Sequence, residues 1–116
     1  MTASRAIVQI EVAEADAALR AARAGLLEAA DAVWSASDER TRVLARNAAI
    51  HAVTTSAAVV DRAYTLGGGS ALRSGSPLQR RLRDVHAATQ HAIVSRAALQ
   101  PIGRLLLGLP ADTLLF

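Results

Sequence analysis

The chain has 116 residues, 52% of them apolar and only 3% aromatic, with 13 basic and 10 acidic side chains and no cysteine. That is one domain with enough apolar surface for a core, and it excludes a disulfide framework and a thiolate metal centre. All 13 cations are arginines scattered along the chain, and stacking aromatics are almost absent, which speaks against a nucleic-acid binder.

No apolar run approaches the ~18 residues of a membrane span. Glu11, Glu14 and Asp16 interrupt the first apolar pattern, so it does not read as a signal peptide, and a cytoplasmic protein is the expectation. Residues 4 to 34 are expected to form one long helix. Val8, Val12, Ala15, Leu19, Ala22, Leu26, Ala29 and Val33 alternate steps of four and three, an apolar seam suited to a nearly parallel partner helix. Asp16 and Arg20 can pair at i,i+4 on the other side, and Trp34 closes the pattern as a core or interface anchor.

Ser35 to Glu39 breaks the pattern and offers N-caps. A second helix is expected from 38 to 66, with Val43, Ile50, Val53, Ala57, Val60 and Tyr64 as its seam. Asn47, His51, Thr54 and Asp61 form a polar stripe beside it, and His51 reads as a surface histidine.

Gly67, Gly68 and Gly69 end this helix and open a loop from 67 to 76. A helix stop with a flexible turn accounts for them, and so does a close approach of backbone N–H groups to a phosphate. Ser76-Pro77-Leu78-Gln79 has the form of a capping box with proline at the first helical position. The third helix then carries Leu78, Leu82 and Val85 on its inner face, and Asp84 can pair with Arg80 or Arg81. His86 and His91 would lie about 140° apart on a continuous helix, at roughly 100° per residue, so they do not form a metal pair. A break near Gln90 would free His91 to point into a cleft. Pro101 is expected to interrupt the following pattern, Gly108-Leu109-Pro110 to stop it, and the apolar tail from Thr113 to Phe116 to dock.

The order Gly68-Gly69, seven residues, then Pro77-Leu78-Gln79-Arg80-Arg81-Leu82-Arg83-Asp84 resembles the C-terminal helical domain of the acyl-CoA dehydrogenase superfamily. The segments Leu66 to Leu72 and Arg83 to His91 are similar to those of its flavin-dependent, two-component monooxygenase branch. The resemblance implies an all-α fold, a helical bundle completed by self-association as a dimer or tetramer. It implies FAD or FMN as cofactor, with Gly68, Gly69 and Ser70 at the flavin and a flavin reductase as a partner. The family's glutamine three residues before the glycine pair corresponds to Thr65 here, which alters one dinucleotide contact. The dehydrogenases' catalytic glutamate falls at Ala92, and no acid occurs between Asp84 and Asp112, so the base for α-proton abstraction is missing. The monooxygenase branch places a histidine at the position of His91, where it would hydrogen-bond a phenolic substrate or stabilise the flavin hydroperoxide. The family's N-terminal helical domain and middle β-domain have no counterpart, so this chain alone is expected to be inactive and to retain flavin weakly or not at all. The chain is expected to be a piece of that domain or a short relative of it. The other reading is a non-catalytic helical module that self-associates or partners a larger flavoprotein.

Overall fold

An alanine-rich sequence with apolar residues every three or four positions folds as helix. The computed structural model describes residues 4–67, 77–113 and 116, and among them there are four α-helices and no strand. The helices are α1 (Ala6–Ser35), α2 (Glu39–Leu66), α3 (Pro77–Thr89) and α4 (Leu99–Leu106). Two 3-10 turns, Ala92–Val94 and Arg96–Ala98, join α3 to α4. Everything packs on α2: α1 along one side, α3 and the first 3-10 turn along another, and α4 near its start. The molecule is accordingly elongated, 53 × 25 × 24 Å, set by its two long antiparallel helices.

The expected seam of α1 is narrower than the alternation of four and three suggests. Ala22 is buried and Val8, Ala15, Leu26, Ala29 and Val33 are half-buried, but Val12 and Leu19 are 58% and 40% exposed. The reason is geometric. α1 has one well-packed neighbour, α2, so only a single line of its surface is covered, and residues about 60–80° off that line, at roughly 100° per residue, stay in solvent. Trp34 is 93% exposed and is therefore no core anchor. The Asp16–Arg20 pair forms at 2.8 Å in full exposure, where such a pair contributes little.

α2 begins with a reciprocal cap. The Asp38 carboxylate accepts the Thr41 N–H at 2.8 Å, and the Thr41 hydroxyl oxygen accepts the Asp38 N–H at 2.9 Å. The Thr41 N–H holds the Asp38 carboxyl below its usual range, against an opposing effect of burial. A carboxyl depressed in the folded chain stabilises it above the unfolded value, about pH 3.9, and that contribution is lost as pH falls through the folded value. The stability difference between the wild type and Asp38→Ala should therefore shrink on acidification below about pH 4. Urea melts at pH 3 and pH 6 read it, and an unchanged difference would refute the cap's ionic share.

Val43, Ile50 and Ala57, seven residues apart, are the buried residues of α2, with Val53, Val60 and Tyr64 half-buried beside them. By length and composition alone α2 is the described helix that could cross a membrane. It is also the helix that α1, α3 and α4 all contact, although only 17% of its apolar window is buried.

On α3, Leu78, Leu82 and Val85 are half-buried as expected. Ser76, the expected cap, lies outside the described residues, and Gln79, expected to reach back to it, has its Oε1 buried without a hydrogen-bond partner. Among the described residues Asp84 forms no ion pair with Arg80 or Arg81, and all three are exposed, where solvation outweighs pairing.

Pro101 does not interrupt a helix. It occupies the third position of α4, where a backbone N–H would have no partner inside the helix. The helix ends where expected. Gly108 is left-handed (φ 74°), its N–H bonds the Leu105 carbonyl at 3.0 Å, and the Leu109 N–H bonds the Arg104 carbonyl at 2.8 Å, a Schellman motif. Ile102 meets Val43 and Ile50 in the core, packed round by Val94, Ala98, Leu99, Leu105 and Phe116. The tail docks through Phe116 and through the Thr113 hydroxyl, which donates to Glu39 at 2.7 Å.

Candidate functional site

The three residues expected at a flavin phosphate, Gly68, Gly69 and Ser70, lie outside the described residues. His91 and the segment round it are described. α3 stops at Thr89, whose hydroxyl donates to the His86 carbonyl at 2.6 Å. The last turn tightens, with the Gln90 and His91 N–H groups bonding carbonyls three residues back, at 3.2 and 3.1 Å. The break expected near Gln90 is thus present.

Beyond the break His91 is extended (φ −67°, ψ 132°) and begins the first 3-10 turn. Its carbonyl accepts the Val94 N–H at 3.0 Å, and its ring Nδ1 accepts the Ile93 N–H at 3.2 Å. Only an unprotonated Nδ1 can accept. The neutral ring therefore carries its proton on Nε2, and the exposed side chain offers that N–H outward as a donor.

The other two histidines are engaged differently. His86 Nε2 meets Asp61 Oδ1 at 2.7 Å, which ties α3 to α2 across 25 residues of sequence. His86 and His91 thus part as expected, one toward α2 and one past the end of α3. His51 lies 3.4 Å from the Thr55 hydroxyl. It also sits where three open grooves of about 540, 450 and 390 Å³ meet on the outer face of α2. The largest runs between α2 and the segment from Thr89 to Leu99, with Asn47, Thr54, Gln90 and Arg96 among its polar lining and Ile50 and Leu99 below. The second lies between α1 and α2 against Gly25 and Ala29, the third beside Glu14 and Arg62. Sequence reasoning found the stripe of Asn47, His51 and Thr54 but not that it floors a trough. The missing information was the placement of the Thr89–Leu99 segment, which depends on the core round Ile102.

His91 lines none of these grooves. Its exposed Nε2–H can donate one hydrogen bond to an acceptor atom. Among the described residues no group of three His, Cys, Asp or Glu side chains could hold a metal ion.

Residues 1–96 match the family model for the acyl-CoA dehydrogenase C-terminal domain. The chain is 34% identical over 113 residues to an indole-3-acetate monooxygenase of Pseudomonas putida, covering 91% of this chain and 29% of that protein. It is likewise 34% identical over 114 residues to an indole-3-acetate monooxygenase of Acinetobacter baumannii, covering 92% and 29%. To a pigment production hydroxylase of Rhodococcus erythropolis it is 36% identical over 88 residues, covering 71% and 22%. The chain thus spans less than a third of the length of these curated relatives.

Proposed function

The chain belongs to the acyl-CoA dehydrogenase C-terminal domain family, and from that premise we propose that it is the helical part of a flavin-dependent monooxygenase that hydroxylates an aromatic compound. The observation that carries this reading is the Nε2 proton of His91, turned outward just past the end of α3 and held there by the Ile93 N–H. The names of the relatives, two of them monooxygenases of an indole acid and one a hydroxylase, support it. So does the absence of any acid between Asp84 and Asp112, which leaves alanine (Ala92) at the position where the resemblance puts the dehydrogenases' usual base.

The flavin, FAD or FMN supplied in reduced form by a reductase, would activate dioxygen, with one oxygen atom entering the substrate and the other leaving as water. Within that reaction His91 donates from Nε2 to an oxygen atom of the reacting partners. Gly68, Gly69 and Ser70 approach the cofactor, as the resemblance implies. Taken alone, these residues, which span less than a third of the relatives' length, would hold flavin weakly or not at all. The protein works in the cytoplasm, away from membranes and nucleic acid, as a dimer or larger assembly. The exposed Trp34, Leu107 and Ile7 favour association, and they equally suit the second reading, a helical module that only binds a partner.

One preparation tests these points: the complete protein that contains these residues, given reduced FAD or FMN, indole-3-acetate and ¹⁸O-labelled dioxygen. The expected product carries one labelled oxygen atom, and native mass spectrometry of the same sample shows a dimer or tetramer. Unlabelled product, or desaturation of an acyl thioester instead, would overturn the monooxygenase reading. A monomer would remove the association.

A further inference from the structure

The geometry points to Arg46 as a positioning residue for His91, clamped in place by Phe116. This inference rests on the reading of His91 as the site residue, and it adds how the imidazole is held. His91 depends on Ile93: the Ile93 N–H bonds His91 Nδ1 at 3.2 Å, and that bond is what selects the tautomer with the proton on Nε2. The same Ile93 is held from its other side. Its carbonyl accepts a hydrogen bond from Arg46 Nη1 at 3.3 Å, across 47 residues of sequence. The guanidinium of Arg46 in turn lies 4.6 Å from the centroid of the Phe116 ring, and Phe116 packs on the Val43, Ile50 and Ile102 core. The Ile93–Val94 peptide, one Cα away from the N–H that bonds His91, is thus tied to the core through one planar cation.

Ile93 cannot do this alone. Its side chain is half in solvent, and a 3-10 turn of three residues is a weak local structure. The Ile93–Val94 peptide, whose N–H already bonds the His91 carbonyl at 3.0 Å, gains from Arg46 a second anchor on its carbonyl side, and Ile93 is steadied between that peptide and the one carrying its own N–H. Arg46 is suited to the task by its flat, delocalised charge, which can stack on a ring and donate in its own plane at once. Lysine can do the first and only loosely the second.

The test reads the tautomer directly. In this chain, ¹⁵N spectra of the His91 ring should show an unprotonated Nδ1 and a protonated Nε2. Arg46→Ala should mix the two tautomers, and Arg46→Lys should keep more of the wild-type form than Arg46→Ala. In the complete enzyme Arg46→Ala should lower kcat by roughly tenfold with KM little changed, as loss of a residue that orients a catalytic group does. Where Arg46→Ala proves too unstable to measure, Phe116→Leu keeps the apolar contact, removes the ring from under the guanidinium, and should shift the tautomers in the same direction. A melting temperature lowered with the tautomer ratio unchanged would make Arg46 merely structural and overturn the inference. A shifted ratio with unchanged turnover would uphold the clamp and sink the catalytic reading of His91 instead.

Discussion

Ile102→Ala should cost about 3 to 4 kcal/mol, within the roughly 2–5 kcal/mol seen when a buried Ile or Leu is cut to Ala. Ile102 is 1% exposed and meets Val43 and Ile50, the other members of the core cluster. The cost has two parts, the lost transfer of the removed carbons out of water and the void they leave. The void cannot collapse cheaply. On one side stands α2, a 28-residue helix whose position α1 and α3 also fix. On the other, α4 has only eight residues and is locked by the Schellman motif at its end. Domains of this size have about 5–15 kcal/mol to lose, so the variant should melt on the order of 10 to 20 °C lower. Chemical and thermal denaturation followed by circular dichroism measures it. A loss below about 1 kcal/mol would mean that α4 is not docked on α2 as described.

The core explains why some of the molecule could be read from its sequence and some could not. Features written in neighbouring residues were legible: the two long helices from their apolar spacing, an N-cap within Ser35 to Glu39, the stop at Gly108, and the break near Gln90. The errors arose where the outcome depends on what lies opposite. Val12 and Leu19 continue a perfect pattern, yet stand in solvent because α1 has a single covering neighbour. Pro101 looked like a breaker because its place in the helix was unknown, and at the third position it costs nothing. His91 was legible as a residue freed by a break, whereas the Arg46, Ile93 and Phe116 contacts that hold it join residues 47 and 70 positions apart, which no local pattern encodes. The glycine segment beyond Gly67, part of the clearest motif in the sequence, lies outside the described residues, so Gly68, Gly69 and Ser70 rest on the resemblance.

His91→Ala should lower hydroxylation by the complete enzyme by about 10²- to 10³-fold while leaving fold and assembly intact. The size follows from the role. Removing one well-placed hydrogen-bond donor to a charge that develops during reaction typically costs that much. Three features of His91 are compatible with the proposed donor role. The ring sits just past the end of α3, so it does not hold that helix to α2. Its Nδ1 is committed to the Ile93 N–H, which leaves Nε2–H as the outward group and fixes its direction. Its side chain is exposed, so truncation opens no cavity in the core and should cost little stability. His86 provides the contrast. Its ring is spent on Asp61, 2.7 Å away, and His86→Ala should loosen α3 on α2 and change the melting temperature more than the rate. His91→Gln is informative as well, because its amide can donate at a similar reach without titrating, and it should recover part of the activity. Steady-state turnover of the three variants, with thermal melts of the same samples, separates the roles. Unchanged turnover in His91→Ala would return His91 to the capping of a 3-10 turn and nothing more.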